Sequence, residues 1–266
     1  MLFRSHTEPV KGGKEKLLSY MQKIPPYSDS GETILYQTDI HKLDMVQGTR
    51  SDLQMISELI ADGNTPAEIM RMKISFRKYE KLIYGAYRDK RLNESPLIKN
   101  MHREWHVGES RTGKTYLYTQ LCQKYSRNQI YVASDMGKGW LDYYMSQGCP
   151  DILFVDDIKG NGSWSELLAI LDVYSTKQIH CRYEDAYAFW NQVYLTSVYP
   201  PEEIFEMLVP PEKRDHDTFD QLLNRLDVIV YHYRKDGEYR EFRLPADQYT
   251  NYADLKRMAE KADPST

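Results

Sequence analysis

A chain of 266 residues is long enough for one or two domains with a sizeable core. Hydrophobic residues make up 41% and charged residues 28%, and no apolar run approaches the roughly 18 residues a membrane-spanning helix needs, so no membrane partner is expected. A net charge of −4 argues against a globally basic nucleic-acid binder; such a partner would need a local basic surface or a channel shared between subunits. The three cysteines, Cys122, Cys149 and Cys181, are too scattered for a disulfide framework or a zinc site. Together with an N-terminus lacking an apolar signal core, they point to a reducing, cytoplasmic compartment.

In chain order, residues 14–23 predict a short helix stopped by Ile24-Pro25-Pro26, and residues 33–37 a strand. One helix and one strand are too little for an independent core, so residues 1–45 read as the end of a larger unit or as a layer packed on the α/β region. Ser51 opens a helix to about residue 61, with Leu53, Ile56, Leu59 and Ile60 on one face. Asp62-Gly63-Asn64 breaks it, and Thr65-Pro66 starts another, with threonine as N-cap and proline first in the helix. A longer helix is expected over 75–91. Its basic face (Arg77, Lys78, Lys81, Arg88, Lys90, Arg91) is either a nucleic-acid contact or a solvated surface, since Glu80 and Asp89 interrupt it. Residues 46–95 thus form a helical module. From about 96 to 245, strand and helix alternate: strands at 104–107, 129–133, 151–157, 192–197 and 226–233, helices at 116–125 and 163–174. Apolar strands between helices predict an α/β layered domain around a buried, mostly parallel sheet. Residues 246–266 read as a polar, helix-prone tail. The 22 tyrosines suit base stacking, or packing on half-buried sheet surfaces.

One stretch in the α/β region carries chemistry. Gly108-Glu109-Ser110-Arg111-Thr112-Gly113-Lys114-Thr115 fits G-x-x-x-x-G-K-[ST], between an expected strand and an expected helix. In such a loop the glycines let backbone N–H groups turn toward phosphate oxygens, and the helix N-terminus adds partial positive charge. Lys114 would reach the β- and γ-phosphates of ATP, and the Thr115 hydroxyl would hold Mg²⁺. The apolar strand Ile152-Leu153-Phe154-Val155 then ends in Asp156 and Asp157, with 41 residues between Lys114 and Asp156. Its first carboxylate is placed to complete the Mg²⁺ shell and its second to orient or deprotonate the attacking water. At the tip of the 192–197 strand, Thr196 and Ser197 are candidates for sensing the γ-phosphate or holding that water. The alternative for both is a capped strand end.

The order of these motifs resembles the superfamily-3 helicase domain of rolling-circle Rep replication initiators, the family that serves plasmids, phages and circular single-stranded DNA viruses. The resemblance spans roughly 47–242: Gln-Gly-Thr-Arg-Ser-Asp-Leu (47–53), the 108–115 loop, Phe-Val-Asp-Asp (154–157), Leu-Leu-Ala-Ile-Leu-Asp-Val-Tyr (167–174) and Leu-Thr-Ser-Val-Tyr-Pro-Pro (195–201). It implies a P-loop NTPase of AAA+-like fold and an ATP-dependent DNA helicase acting on single-stranded origin DNA. A homo-oligomeric, hexameric ring is implied, in a bacterial cytoplasm or, for a viral replicon, the host nucleus. The segment Gln-Leu-Leu-Asn-Arg-Leu (221–226) is similar to the one that carries an arginine finger, which assigns that role to Arg225. The family's DNA-contacting hairpin corresponds to 178–187, with Arg182 where a lysine is usual and with Lys177 and Tyr183 nearby. Val198 stands where the family places asparagine, so Thr196 or Ser197 takes over that role or hydrolysis is weakened. A nicking domain precedes the helicase in such initiators. Tyr20 and Lys23 fit its Tyr-x-x-Lys motif, with Tyr20 the nucleophile toward a DNA phosphate. No His-hydrophobe-His metal pair occurs, and His102 and His106 have the wrong spacing. The resemblance therefore predicts an N-terminally truncated initiator that does not nick alone. The rival readings are an ATP-driven loader or regulator without unwinding, and an inactive DNA-binding remnant.

Overall fold

The computed structural model describes residues 19–20, 25, 51–174, 177–182 and 185–263. The chain divides into two compact units, residues 1–55 and 56–266. Of the first, Ser19 and Tyr20 are helical, Pro25 sits in a turn, and helix α1 (Ser51–Ala61) begins. The rest of the expected 14–23 helix and the whole 33–37 strand lie outside the described residues.

The second unit takes in the helices and the sheet together. In α1, Ile56 and Ile60 stand four residues apart and are buried on one face. Gly63, at φ +88°, turns the chain, and Lys90 donates to the last carbonyls of the helix, Ile60 and Ala61, at 2.7 and 2.8 Å. Helix α2 (Pro66–Met72) starts as its sequence dictates: Thr65 caps Glu68, and the Glu68 carboxylate accepts the Thr65 amide at 2.9 Å. The helix expected over 75–91 divides. Residues Ile74–Tyr79 form a 3₁₀ turn with no side-chain cap, and only then does α3 (Glu80–Glu94) run, burying Ile83 and Tyr87.

The strands are β1 (His102–Val107), β2 (Ile130–Ser134), β3 (Ile152–Asp156), β4 (Gln178–Ile179), β5 (Ala186–Tyr187), β6 (Gln192–Ser197), β7 (Val228–Lys235) and β8 (Glu238–Pro245). Six of them make one sheet in the order β2-β3-β6-β1-β7-β8, parallel except for β8. The expected α/β fold with a mostly parallel sheet is therefore present. Strands β4 and β5 pair separately as a small antiparallel hairpin.

Helix α4 (Tyr116–Lys124) covers one face, packing Leu117 and Leu121 against Ile152, Phe154 and Tyr194. On the other face, Trp105, Val107, Leu153, Val155, Val193, Leu195 and Ile229 meet α5 (Trp164–Ile170), α6 (Pro201–Leu208), α7 (Asp220–Leu223) and α8 (Tyr252–Ala262). Each large apolar side chain buried there contributes about 1.5–3 kcal/mol. Helix α5 ends at Ile170, short of the expected residue 174, because sheet-like pairing takes over: the Lys99 amide donates to the Val173 carbonyl at 2.8 Å, and Ile98 bridges Tyr174. Helix α6 and strand β8 were not expected, nor was the short α7. Helix α6 begins at the second of two prolines and carries Glu202 and Glu203 in its first turn. Strand β8 returns from β7 through Asp236 and Gly237, both at positive φ, which suits a tight hairpin turn. No helix among the described residues is long and apolar enough to cross a membrane.

Candidate phosphate-loop site

Parallel strands β3, β6 and β1 end at one edge of the sheet, and their C-terminal tips gather the site. The 108–115 loop leaves β1 there and enters α4, with Thr115 at the helix start. Gly108 is forced by proximity: a Cβ there would lie 2.2 Å from the His232 carbonyl oxygen on β7. Gly113 takes φ +94°, and Arg111 takes φ +65° without being glycine. The Thr112 hydroxyl donates to the Glu109 carbonyl at 2.8 Å, pinning the turn. Lys114 is buried and folds back into its own loop, donating to the carbonyls of Gly108 and Glu109 at 2.6 and 2.7 Å. Burial pulls its ammonium below the ordinary lysine range, while Asp157, Asp156 and Glu109 pull it back. Glu109, Ser110 and Thr115 are exposed. The Thr115 side chain makes no capping bond to its helix.

Asp156 ends β3. Its Oδ1 accepts the Thr196 hydroxyl at 2.8 Å, and the same hydroxyl accepts the Asp157 amide at 2.9 Å. Thr196 is thus a clamp between two strand tips. Asp157 stands at φ +60°, which turns its carboxylate out of the strand, where Oδ2 meets Lys159 at 2.7 Å. Ser197 is wholly buried, donates to the Ile158 carbonyl at 2.6 Å and accepts the Tyr199 amide. Of the two sensor candidates, Thr196 touches the acidic pair, while Ser197 is occupied in closing the turn after β3.

The remaining expected residues lie elsewhere. Arg225 follows α7 and precedes β7, and Asp227 beside it grips Arg103 near the start of β1, at 2.8 Å. That is the N-terminal edge of the sheet, roughly 20 Å of strand from the 108–115 loop. The Arg225 guanidinium donates to the Gln221 carbonyl at 2.8 Å. In the β4–β5 hairpin, Arg182 pairs at 2.8 Å with Asp142, a carboxylate almost wholly buried, and Lys177 pairs with Asp172. Tyr183 and Lys23 lie outside the described residues, and Tyr20 is helical and exposed.

Behind the loop runs a buried polar chain that motif reading missed. Glu104 on β1 accepts from His102 at 2.6 Å and His106 at 2.9 Å and pairs with Arg243 of β8. His106 Nδ1 in turn lies 2.8 Å from His232 Nε2. A carboxylate only accepts, so His106 donates from Nε2; with its ring neutral, as burial favours, its Nδ1 accepts from His232 Nε2. Burial, then the neighbouring His106, Lys114 and Arg243, push His232 down to about 3, and burial also lowers His106. Burial alone would raise Glu104, but the His106 bond, the Arg243 charge and the His102 bond hold it at about 2. The available signal was the alternation His102, Glu104, His106 along an otherwise buried strand, which places all three on one face.

No family model matches the chain, and no curated protein matches it either.

Proposed function

We propose that the chain is a P-loop ATPase that binds Mg²⁺-ATP at the 108–115 loop and couples its hydrolysis to movement on single-stranded DNA, as the helicase part of a rolling-circle replication initiator. The observation that carries the ATPase reading is the meeting of three strand tips. The loop with Lys114 follows β1, the Asp156–Asp157 pair ends β3, and Thr196 of the intervening β6 ties that pair down. An ATP phosphate would replace the Gly108 and Glu109 carbonyls as partner of Lys114, exchanging two neutral acceptors for an anionic one.

The donor set fits a magnesium ion. Among the described residues no group of three or more His, Cys, Asp and Glu side chains is placed to hold a metal ion on its own. Mg²⁺ characteristically takes one or two protein oxygens and completes its shell with phosphate and water. Thr115, exposed and uninvolved in capping, and Asp156, with Oδ2 remaining beyond its bond to Thr196, would hold it. The ion would neutralise charge on the phosphates. Asp157 would position the attacking water and accept its proton. This requires Lys159 to yield the carboxylate, which an exposed pair does at little cost. Arg225, at the far edge of the sheet, could assist only the site of a neighbouring copy, in accord with a ring. DNA contact through Arg182 and Lys177 would exchange their pairings with Asp142 and Asp172 for phosphates.

The test is ATP turnover by the full chain with and without single-stranded DNA. The reading expects DNA-stimulated hydrolysis that disappears in Lys114→Ala, and strand displacement on a tailed duplex. DNA binding without any turnover would refute it.

A further inference from the structure

Beside the loop, between α4 and β8, lies a cavity of about 570 Å³. This is within the range of small-molecule sites, roughly 300–1,000 Å³. Its lining comes from the loop, α4, β8 and β7, which adds His232, and Arg240 of β8 also borders it. Thr112 and Gly113 supply the loop end, and Tyr116 and Gln120, one turn apart on α4, supply one wall. Tyr239 and Glu241, two apart on β8 and so on one face of the sheet, supply the other. The Tyr239 ring lies against the loop itself: a Cβ on Gly113 would come within 3.2 Å of it. The Arg234 guanidinium sits 5.0 Å from the centre of that ring, which steadies it. Tyr239 and Tyr116 are nonetheless 64% and 58% exposed, an unusual outlay of aromatic surface beside a polar loop.

We infer that this cavity receives the base of the nucleotide whose phosphates the loop holds, and that the base is a purine. The inference rests on the ATP-binding reading of the loop and extends it to residues that no motif marks. Tyr239 and Tyr116 supply the stacking surface, and a two-ring base covers more of two tyrosines than a one-ring base does. Gln120 both donates and accepts, whereas Glu241 only accepts, so the pair can meet a base edge that carries an amine beside a ring nitrogen. Selectivity for the base therefore lies in α4 and β8, and phosphate affinity lies in the loop.

The experiment compares the full chain's affinity for Mg²⁺-ATP, Mg²⁺-CTP and Mg²⁺-tripolyphosphate by calorimetry. Wild type should bind ATP about tenfold or more tighter than tripolyphosphate, with CTP between them. Tyr239→Ala should weaken ATP about tenfold and leave tripolyphosphate unchanged, while Tyr239→Phe keeps the wild-type preference. Gln120→Ala, an exposed change on α4, should weaken ATP and leave tripolyphosphate unchanged, and serves if Tyr239→Ala does not fold. Equal wild-type affinities for all three ligands, or a Tyr239→Ala variant that weakens ATP and tripolyphosphate alike, would overturn the base pocket and leave the loop as a phosphate site. If wild type binds none of the three, the ATP reading itself falls and the pocket falls with it.

Discussion

The Thr196 hydroxyl donates to Oδ1 of Asp156 across two adjacent strands, at 2.8 Å. Because it also accepts the Asp157 amide, one buried hydroxyl ties the Asp156 carboxylate to the Asp157 backbone at the end of β3. Thr196→Val keeps the shape and removes both bonds. The expected cost is about 1–3 kcal/mol, since an amide and a carboxylate oxygen lose their partner. Urea unfolding reads that cost. ATP turnover should fall at least about tenfold, because Asp156 no longer has a fixed rotamer. Thr196→Ser restores the hydroxyl and should recover most of both. A valine variant with wild-type turnover would remove Thr196 from the site.

Glycine substitutions should separate space from backbone freedom. Gly108→Ala drives a methyl into the His232 carbonyl and should destabilise by about 1–3 kcal/mol, since neither β1 nor β7 can withdraw without breaking the ladder. Gly85, inside α3, has nothing within 4 Å of its would-be Cβ and no positive φ. Gly85→Ala should stabilise by about 0.5–1 kcal/mol through helix propensity alone. Denaturant midpoints of the two variants should move in opposite directions.

Acid should loosen the sheet behind the loop. His232 is lowered in the folded chain to about 3, from an ordinary 6.5, so below pH 6.5 the unfolded chain binds the proton that the folded chain refuses. Glu104 is lowered to about 2 from 4.5, which acts in the same sense at lower pH. Stability from these groups is therefore fully present above about pH 6.5 and is lost as pH falls toward 3. A plot of unfolding free energy against pH should slope downward as pH falls below 6.5. His232→Gln should flatten the upper part of that slope. A slope unchanged in His232→Gln would place the titration elsewhere.

Arg182 cannot be tested for DNA contact as though it were a bare surface charge. Its partner Asp142 has a side chain only 1% exposed, whereas Arg182 itself is about half exposed. Arg182→Ala strips a buried carboxylate of its cation and should lower stability by about 1–3 kcal/mol, less than for a fully buried pair. Arg182→Ala with Asp142→Asn should regain part of that loss. Only DNA binding measured in the double variant isolates the phosphate contact.

Much of the architecture was legible because single residues announce it. Thr65-Pro66 starts a helix, and five apolar stretches became the parallel strands where they were expected. What escaped had contrary local signals. Strand β8 reads Glu-Tyr-Arg-Glu-Phe-Arg and lacks the apolar content of a buried strand, because it sits at the sheet's edge. The stretch 172–174 reads as helix, yet pairing with 98–99 draws it out. At the site, spacing could mark Lys114, Asp156 and Thr196, since each stands at a strand end or loop with its own local pattern. It could not reveal that Glu104, His106, His232 and Arg243 meet, because that contact joins three strands whose neighbours are set by topology.

The edge position of β8 has one more effect. Along its two faces it carries Glu238, Arg240, Glu241 and Arg243, and Pro245, which has no amide to donate, ends it. A foreign strand docking there would have to accommodate four charged side chains and would find a gap in the ladder at its end. The sheet is closed to extension on that side, so crowding these molecules should not turn them into fibres through β8.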